Sequence, residues 1–321
     1  AGDSDAFLRH TLDGHRPPVC GAWAKMKIKP PLLLLIALSW CCQGNGNSDN
    51  SLQEEALFAA NLDLPERSVN AYSGTDLVQI LTPLSLRERE ERIYSEIMTG
   101  NIPTFLRQLK SVSVSDETGD PTWKLIFYVT ADYMAVGGDE DYFLIPMTPI
   151  LAQEIADALG LIMITRKMVN DIWLQADLQL EPIPIDPSPE MVTIPVFADH
   201  NELVWLQRQD KINPFPLGAM VGGHKKDVVL SNRISENQDK VVIYGWHRTN
   251  GQPIQPLYSG HINWYVDYSH GIRFALAKCR FNGEERSVSD LLQDSDLYHF
   301  LSDEDGPMII TRYPVDKSSY P

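Results

Sequence analysis

Apolar residues within residues 165–176 recur at every third or fourth position, which places them on one face of a predicted helix. Two earlier stretches carry the end signals of helices. Residues 85–100 begin with a capping-box pattern formed by Ser85 and Glu88. Residues 148–160 begin with a cap residue followed by proline and end at glycine. Together these patterns predict a helical N-terminal layer.

Short apolar runs bounded by turn residues predict strands in the rest of the chain. The predicted strands are residues 123–129 and 142–146, joined by a turn at 137–139, and then residues 228–230, 241–246, 261–268 and 271–277. A proline-rich crossing at residues 182–195 leads to a short helix over 200–208, which Asp199 would cap. A last helix is predicted over residues 289–301. The predicted fold is α+β, with the helical N-terminal layer packed on a mainly antiparallel β-sheet formed by the C-terminal half.

The chain has an export signal near its start. A short basic segment at Met26 precedes an apolar run over residues 32–38, which is too short for a bilayer span of roughly 20 residues. This pattern is typical of a secretory signal peptide. The signal segment ends at Cys41 and Cys42, either of which could carry a lipid anchor. Ordinary secretion is the alternative, because Trp40 occupies a position that is normally small in lipoprotein signals.

These features divide the chain into four parts. Since Met26 would serve as a start, residues 1–25 are interpreted as an upstream extension. Residues 26–42 are the predicted signal peptide, and residues 43–80 a polar, glycine-rich tether followed by an irregular segment. Residues 81–315 are predicted to form a single globular α+β domain.

Composition narrows the class of protein. Among 321 residues, 43% are hydrophobic and 22% are charged, which is enough to bury a core. The net charge of −16 argues against a nucleic-acid partner, because a phosphate backbone needs a basic surface. Beyond the signal segment only Cys279 remains, in a strand-like run, so we expect a buried thiol and no disulfide framework.

Candidate chemistry is concentrated in a histidine-rich stretch, since five of the eight histidines lie between residues 200 and 270. Side chains alternate between the two faces of a strand, so a strand over 261–268 would carry His261, Asn263, Tyr265 and Asp267 on one face. A row of this composition is more typical of a cleft lining than of a solvated face.

Three interpretations of this stretch remain open. The first is a divalent metal such as zinc, bound by His247, His261, Asp267 and His270, although no His-Glu-x-x-His motif is present. The second is metal-free nucleophilic or acid–base catalysis. The third is a binding groove without chemistry, in which aromatic side chains stack on sugars.

The candidate residues fall into two groups. The candidate catalytic residues are His224, His247, His261, Asp267, Ser269 and His270. The candidate substrate-binding residues are Lys226, Asp227, Tyr244, Trp246 and Tyr265. Lys226 would contact an anionic group.

The function predicted from these features is a secreted or surface-tethered hydrolase that acts on an extracellular or cell-wall polymer or a small-molecule substrate. Its location would be the periplasm, the cell surface or the extracellular space. Membrane contact is expected only through a lipid anchor at Cys41 or Cys42. The alternative is a non-catalytic surface lipoprotein that binds a glycan or a nutrient.

Overall fold

A computed structural model describes residues 61–116 and 122–321. The predicted upstream extension, signal peptide and polar tether lie outside the described residues, so they stay predictions. The described residues belong to one compact unit, residues 53–321, and the proline-rich crossing at 182–195 lies inside it. Within the described ranges, no helix is both long and apolar enough to cross a membrane.

The helices begin where their capping residues lie. The α-helices of the described ranges are α1 Gly74–Leu81, α2 Leu86–Met98, α3 Pro149–Leu159, α4 Arg166–Gln175, α5 Ile194–Gln209, α6 Arg233–Glu236 and α7 Val288–Gln293. Ser85 and Glu88 form the predicted capping box of α2. Thr148 and Thr165 cap α3 and α4 through their hydroxyl groups. The three predicted helices of the first half are therefore confirmed.

The strands are short. They are β1 Lys110–Asp116, β2 Trp123–Val129, β3 Ala135–Gly138, β4 Asp141–Leu144, β5 Leu161–Met163, β6 Leu178–Gln179, β7 Val221–Gly222, β8 Lys226–Val228, β9 Ile243–His247, β10 Pro253–Tyr258, β11 His270–Gly271, β12 Phe274–Leu276, β13 Lys278–Phe281 and β14 Glu284–Ser287. The first sheet is antiparallel and has the order β14-β13-β2-β12-β5, and β1 also pairs with β2. The second sheet has the order β10-β9-β8-β11, in which only β8 and β11 are parallel. The predicted α+β fold is confirmed.

Five local predictions were wrong. The segment before residue 81, which was predicted to be irregular, contains helix α1. Residues 261–268 do not form a strand, since their only ladder contact with the described residues is an isolated bridge between Ile262 and Lys240. Helix α5 begins at Ile194, so Asp199 lies inside the helix and does not cap it. The predicted final helix is split into α7 and a separate 3₁₀ turn. The predicted turn at 137–139 is also wrong, because residues 137 and 138 belong to strand β3, which pairs with β4.

The hydrophobic core lies between the first sheet and the helices. Phe127 of β2 and Phe274 of β12 are fully buried there, together with Leu151 and Ile155 of α3. Cys279 of β13 is buried as predicted, and burial raises the pKa of its thiol to about 12. It therefore acts as a small hydrophobic residue at physiological pH.

A buried carboxylate joins helix α2 to the start of helix α3. Glu90 accepts hydrogen bonds from the backbone N–H and the hydroxyl of Thr148, both at 2.7 Å. The hydroxyl of Tyr320 also donates to Glu90. Burial raises the pKa of Glu90, although these hydrogen bonds and Arg89 act in the opposite direction. The bonds are therefore needed to keep a carboxylate stable in the core.

We expect Tyr320→Phe to lower the free energy of unfolding by about 1–3 kcal/mol, because it removes a donor to a buried charged acceptor. Chemical denaturation of the full chain measures this change. Tyr258→Phe is the matched control, since Tyr258 is 43% exposed. Equal stabilities of the two variants would contradict the role assigned to the Tyr320 hydroxyl.

Candidate active site

The second sheet separates two polar clusters. In the ladder, Lys226 of β8 pairs with His270 of β11, and the next residue, Asp227, pairs with Gly271 of β11 and Tyr244 of β9. Paired residues point to the same side of a sheet and successive residues point to opposite sides. The outer cluster consists of Lys226, Trp246, His261, Tyr265, Asp267, Ser269 and His270. The inner cluster consists of Asp132, Tyr133, His224, Asp227 and Arg273.

Asp267 is the centre of the outer cluster. Its Oδ1 accepts hydrogen bonds from the backbone N–H of Ser269 at 2.8 Å and from the Ser269 hydroxyl at 2.5 Å. Its Oδ2 accepts a bond from the Tyr265 hydroxyl at 3.1 Å and lies 3.9 Å from Nε2 of His270. Burial raises the pKa of Asp267, but His270, Lys226 and the two Ser269 bonds outweigh it and bring the pKa to about 2. Asp267 is therefore ionised at neutral pH.

Aromatic rings form the wall of the outer cluster. The ring of His261 stacks on Tyr265 with centroids 4.1 Å apart, and the Tyr265 and His270 rings lie edge to face with centroids 5.8 Å apart. The Lys226 ammonium lies 4.9 Å from the ring centroid of Trp246. His261, Tyr265 and Lys226 are partly exposed, so they form the mouth of the cluster above the buried Asp267 and His270.

His270 is a buried base without a hydrogen-bond partner. Its side chain is 0% exposed, and neither ring nitrogen has a partner within the described part of the chain. Burial lowers its pKa to about 4, even though Asp267 acts to raise it. The imidazole is therefore neutral at pH 7 and free to accept a proton. A buried, unpartnered imidazole is unusual, because buried polar atoms are normally hydrogen-bonded.

Ser269 does not have the geometry of a histidine-activated nucleophile. Its hydroxyl donates to Asp267, and so does its backbone N–H. These two bonds close a local turn of a kind that serine and aspartate often form. In the structure, the Ser269 hydroxyl therefore holds Asp267 in place.

The inner cluster is built around Tyr133. Its hydroxyl donates to Oδ2 of Asp227 at 2.9 Å, and the Arg273 guanidinium lies 4.6 Å from its ring centroid. The rings of His224 and Tyr133 lie edge to face with centroids 4.9 Å apart, and Nε2 of His224 lies 3.1 Å from Oδ1 of Asp132. Burial raises the pKa of Asp132, but His224 and Arg273 outweigh it and lower the pKa below its usual value.

His247 and Tyr244 lie beside the inner cluster, apart from His261 and His270. Both contact the side-chain oxygen of Asn170, at 3.1 Å from Nε2 of His247 and 3.0 Å from the Tyr244 hydroxyl. His247 stacks on Trp173 with centroids 5.7 Å apart. A cavity of about 10 Å³, close to the space of one water molecule, lies between His247, Trp173 and the inner cluster.

The four candidate metal ligands are therefore not brought together. His261, Asp267 and His270 lie in the outer cluster, whereas His247 lies on the other side of the second sheet. Within residues 61–116 and 122–321, no group of three or more His, Cys, Asp or Glu side chains is arranged to hold a metal ion.

Asp227 should make the stability of the folded protein depend on pH. Burial raises its pKa from 3.8 to about 7, although Arg273 and Tyr133 oppose the shift. Between these two values the folded protein keeps a proton that the unfolded chain has lost, so stability falls as the pH rises through this window.

We expect Asp227→Asn to flatten the pH dependence of the unfolding free energy between pH 4 and pH 7, since asparagine does not titrate. Urea denaturation at several pH values would compare the variant with the wild type. Groups that titrate in both proteins cancel in the difference. Parallel profiles would show that Asp227 does not carry this proton.

Three members of the inner cluster are not among the residues predicted from the sequence: Asp132, Tyr133 and Arg273. One signal was present, because Arg273 is a charged residue within an otherwise apolar run over 271–277. A scan against protein-family models and searches of curated proteins and of solved structures find no match to this chain. The candidate site therefore rests on the geometry of its own residues.

Proposed function

We propose that this chain is an exported hydrolase of an extracellular or cell-wall polymer, and that the outer cluster performs acid–base catalysis. The observation that carries the proposal is the buried imidazole of His270, which has no hydrogen-bond partner in the described part of the chain. It lies 3.9 Å from the ionised Asp267, beneath the partly exposed mouth. Such combinations of burial, perturbed pKa and a charged neighbour concentrate at functional sites.

In the proposed reaction, the neutral His270 accepts a proton from water while the water oxygen bonds to the electrophilic centre of the substrate. The negative charge of Asp267 stabilises the imidazolium that forms. The Lys226 ammonium stabilises negative charge that develops on the substrate. When the substrate bond breaks, His270 returns the proton to the leaving group, and the enzyme regains its starting state.

The proposal is metal-free because of the donor geometry in the described part of the chain. The candidate ligands do not converge there into a group that could hold a metal ion. The hydrogen bonds of Asp267 instead come from Tyr265 and Ser269, which fix its two oxygens. These hydrogen bonds orient Asp267 toward His270 without the help of a metal ion.

The test is hydrolysis of polymers by the full chain. Peptidoglycan sacculi and purified cell-surface polysaccharides are incubated with the protein, and released fragments are measured by mass spectrometry. We expect His270→Gln to lower the rate about 100-fold or more, which is the usual contribution of a general base. His299→Gln is the matched control, because the His299 side chain is 47% exposed and lies outside both clusters. A His270→Gln variant as active as this control would refute the proposal.

Exposed aromatic residues support a second candidate, a non-catalytic surface protein that binds a glycan. Tyr258 is 43% exposed and lies with its ring centroid 5.2 Å from that of His261. Tyrosine faces of this kind are suited to stacking on sugar rings. Retention of the protein on an insoluble polymer without release of fragments would favour binding, and release of fragments would favour hydrolysis.

A further inference from the structure

Lys225 is a buried lysine beside the candidate active site. It is 1% exposed, whereas its neighbour Lys226 reaches the mouth of the outer cluster. Lysine is almost never fully buried unless it is paired. The Lys225 amine has two partners, since Nζ donates to the backbone oxygen of Tyr268 at 2.6 Å and lies 3.1 Å from Nδ1 of His200.

Both partners are themselves held in place. Nε2 of His200 lies 3.1 Å from the backbone oxygen of Ile183, so this nitrogen donates and Nδ1 accepts from Lys225. The Tyr268 hydroxyl accepts from the backbone N–H of Ile185 at 2.9 Å, and the Tyr268 N–H donates to Met191 at 3.0 Å. The Lys225 amine therefore connects helix α5 and the proline-rich crossing with the segment that carries Asp267.

The decisive feature is a single peptide unit. The carbonyl of the Tyr268–Ser269 peptide accepts from Lys225, and the N–H of the same peptide donates to Asp267. A peptide unit is planar and rigid, so fixing its oxygen also fixes the direction of its N–H. Lys225 thereby controls a bond to the carboxylate that faces His270.

We propose that Lys225 is a positioning residue that orients Asp267 toward His270 through this peptide, an inference that rests on the proposed function. The amine needs no particular charge for this role. A neutral amine has two hydrogens, one for the Tyr268 oxygen and one for Nδ1 of His200. Burial lowers the pKa of Lys225 to about 7, although Asp267 and Asp132 act to raise it. Either protonation state carries enough hydrogens for both bonds.

Hydrogen exchange measured by NMR on the full chain tests the proposal without a substrate. We expect Lys225→Met to speed the exchange of the Ser269 amide about tenfold or more and to shift the His270 ring resonances. Amides of the first sheet, such as that of Phe127, should keep their wild-type rates. Faster exchange throughout the chain would indicate a general loss of stability and overturn the positioning role. Lys278→Met, at an exposed lysine, is the matched control.

A second measurement uses the wild type, so it does not depend on whether a variant folds. The Lys225 amine should give a protected ¹⁵Nζ resonance whose hydrogens show nuclear Overhauser contacts to the His200 ring. Failure to detect protected Nζ hydrogens would overturn the assignment. If polymer hydrolysis is also observed, Lys225→Met should lower kcat and leave KM nearly unchanged. The exchange result separates the two proposals, because it tests the position of Asp267 whether or not the protein hydrolyses a polymer.

Discussion

Replacing Arg273 with methionine should lower the free energy of unfolding by about 3–5 kcal/mol. This is the usual loss when one member of a buried pair of opposite charges is removed. Arg273 is 1% exposed and donates to the backbone oxygens of Thr130 and Val221. Methionine fills a similar volume but donates no hydrogen bond. Both carbonyl groups would therefore stay buried and unpaired.

The same substitution removes the positive charge of the inner cluster. Arg273 lowers the pKa of both Asp132 and Asp227. Without it, we expect the pKa of Asp227 to rise further, so the protonated form would extend to higher pH. The stability loss should therefore be larger above pH 7 than below it.

Arg248→Met is the matched control for this prediction. The Arg248 side chain is 55% exposed and lies 3.6 Å from Glu181. Exposed ion pairs contribute about 0–1 kcal/mol, so this variant should stay close to the wild type. Guanidinium chloride denaturation of both variants is the measurement. Equal losses would show that burial and hydrogen bonding of Arg273 do not carry the stability assigned to them.

The fold was predictable where neighbouring residues determine the structure. The helix starts at Ser85, Thr148 and Thr165 were correct, because each hydroxyl caps a backbone N–H only three positions away. Strand β2 was also correct, since most of its apolar residues are buried and it pairs with β1, β12 and β13 in the first sheet. Signals of this kind act within a few residues and need no distant partner.

Residues 261–268 show why the remainder could not be predicted. The alternation of polar and apolar residues there fits a strand, but apart from the Ile262 bridge no ladder forms with the described residues. Side chains bond locally instead, as Tyr265 and Ser269 do to Asp267. Such local bonds compete with sheet formation. Tyr265 still contacts Asp267, and His261 stacks on Tyr265, although no strand brings them together.

The inner cluster depends on contacts between distant parts of the chain. Tyr133 meets Asp227 only because β11 lies beside β8 and has glycine at position 271. A Cβ atom at Gly271 would lie 2.6 Å from the Tyr133 ring. Tyr133 and Asp227 are 94 residues apart in the sequence, and no periodic pattern relates positions at such a distance. These contacts follow from the tertiary structure.

Gly223→Ala should also lower the free energy of unfolding strongly, by about 3 kcal/mol or more, because backbone strain is combined with a steric clash. Gly223 has a φ of +102°, in the left-handed region that favours glycine. A Cβ atom there would lie 2.5 Å from the backbone oxygen of Leu180 and 2.9 Å from that of His247. Neither oxygen belongs to a flexible side chain that could move aside.

Gly283→Ala separates the two causes. Gly283 has a φ of +86°, but a Cβ atom there would have no neighbour within 4 Å. It should therefore lose only the strain of a left-handed residue, about 1 kcal/mol. Thermal and urea denaturation of both variants measure the difference, which isolates the clash at Gly223. Because Gly223 directly precedes His224 of the inner cluster, a backbone shift there would also displace that cluster. Equal losses at the two glycines would mean that the turn before β8 can relax, and that the site residues do not depend on it.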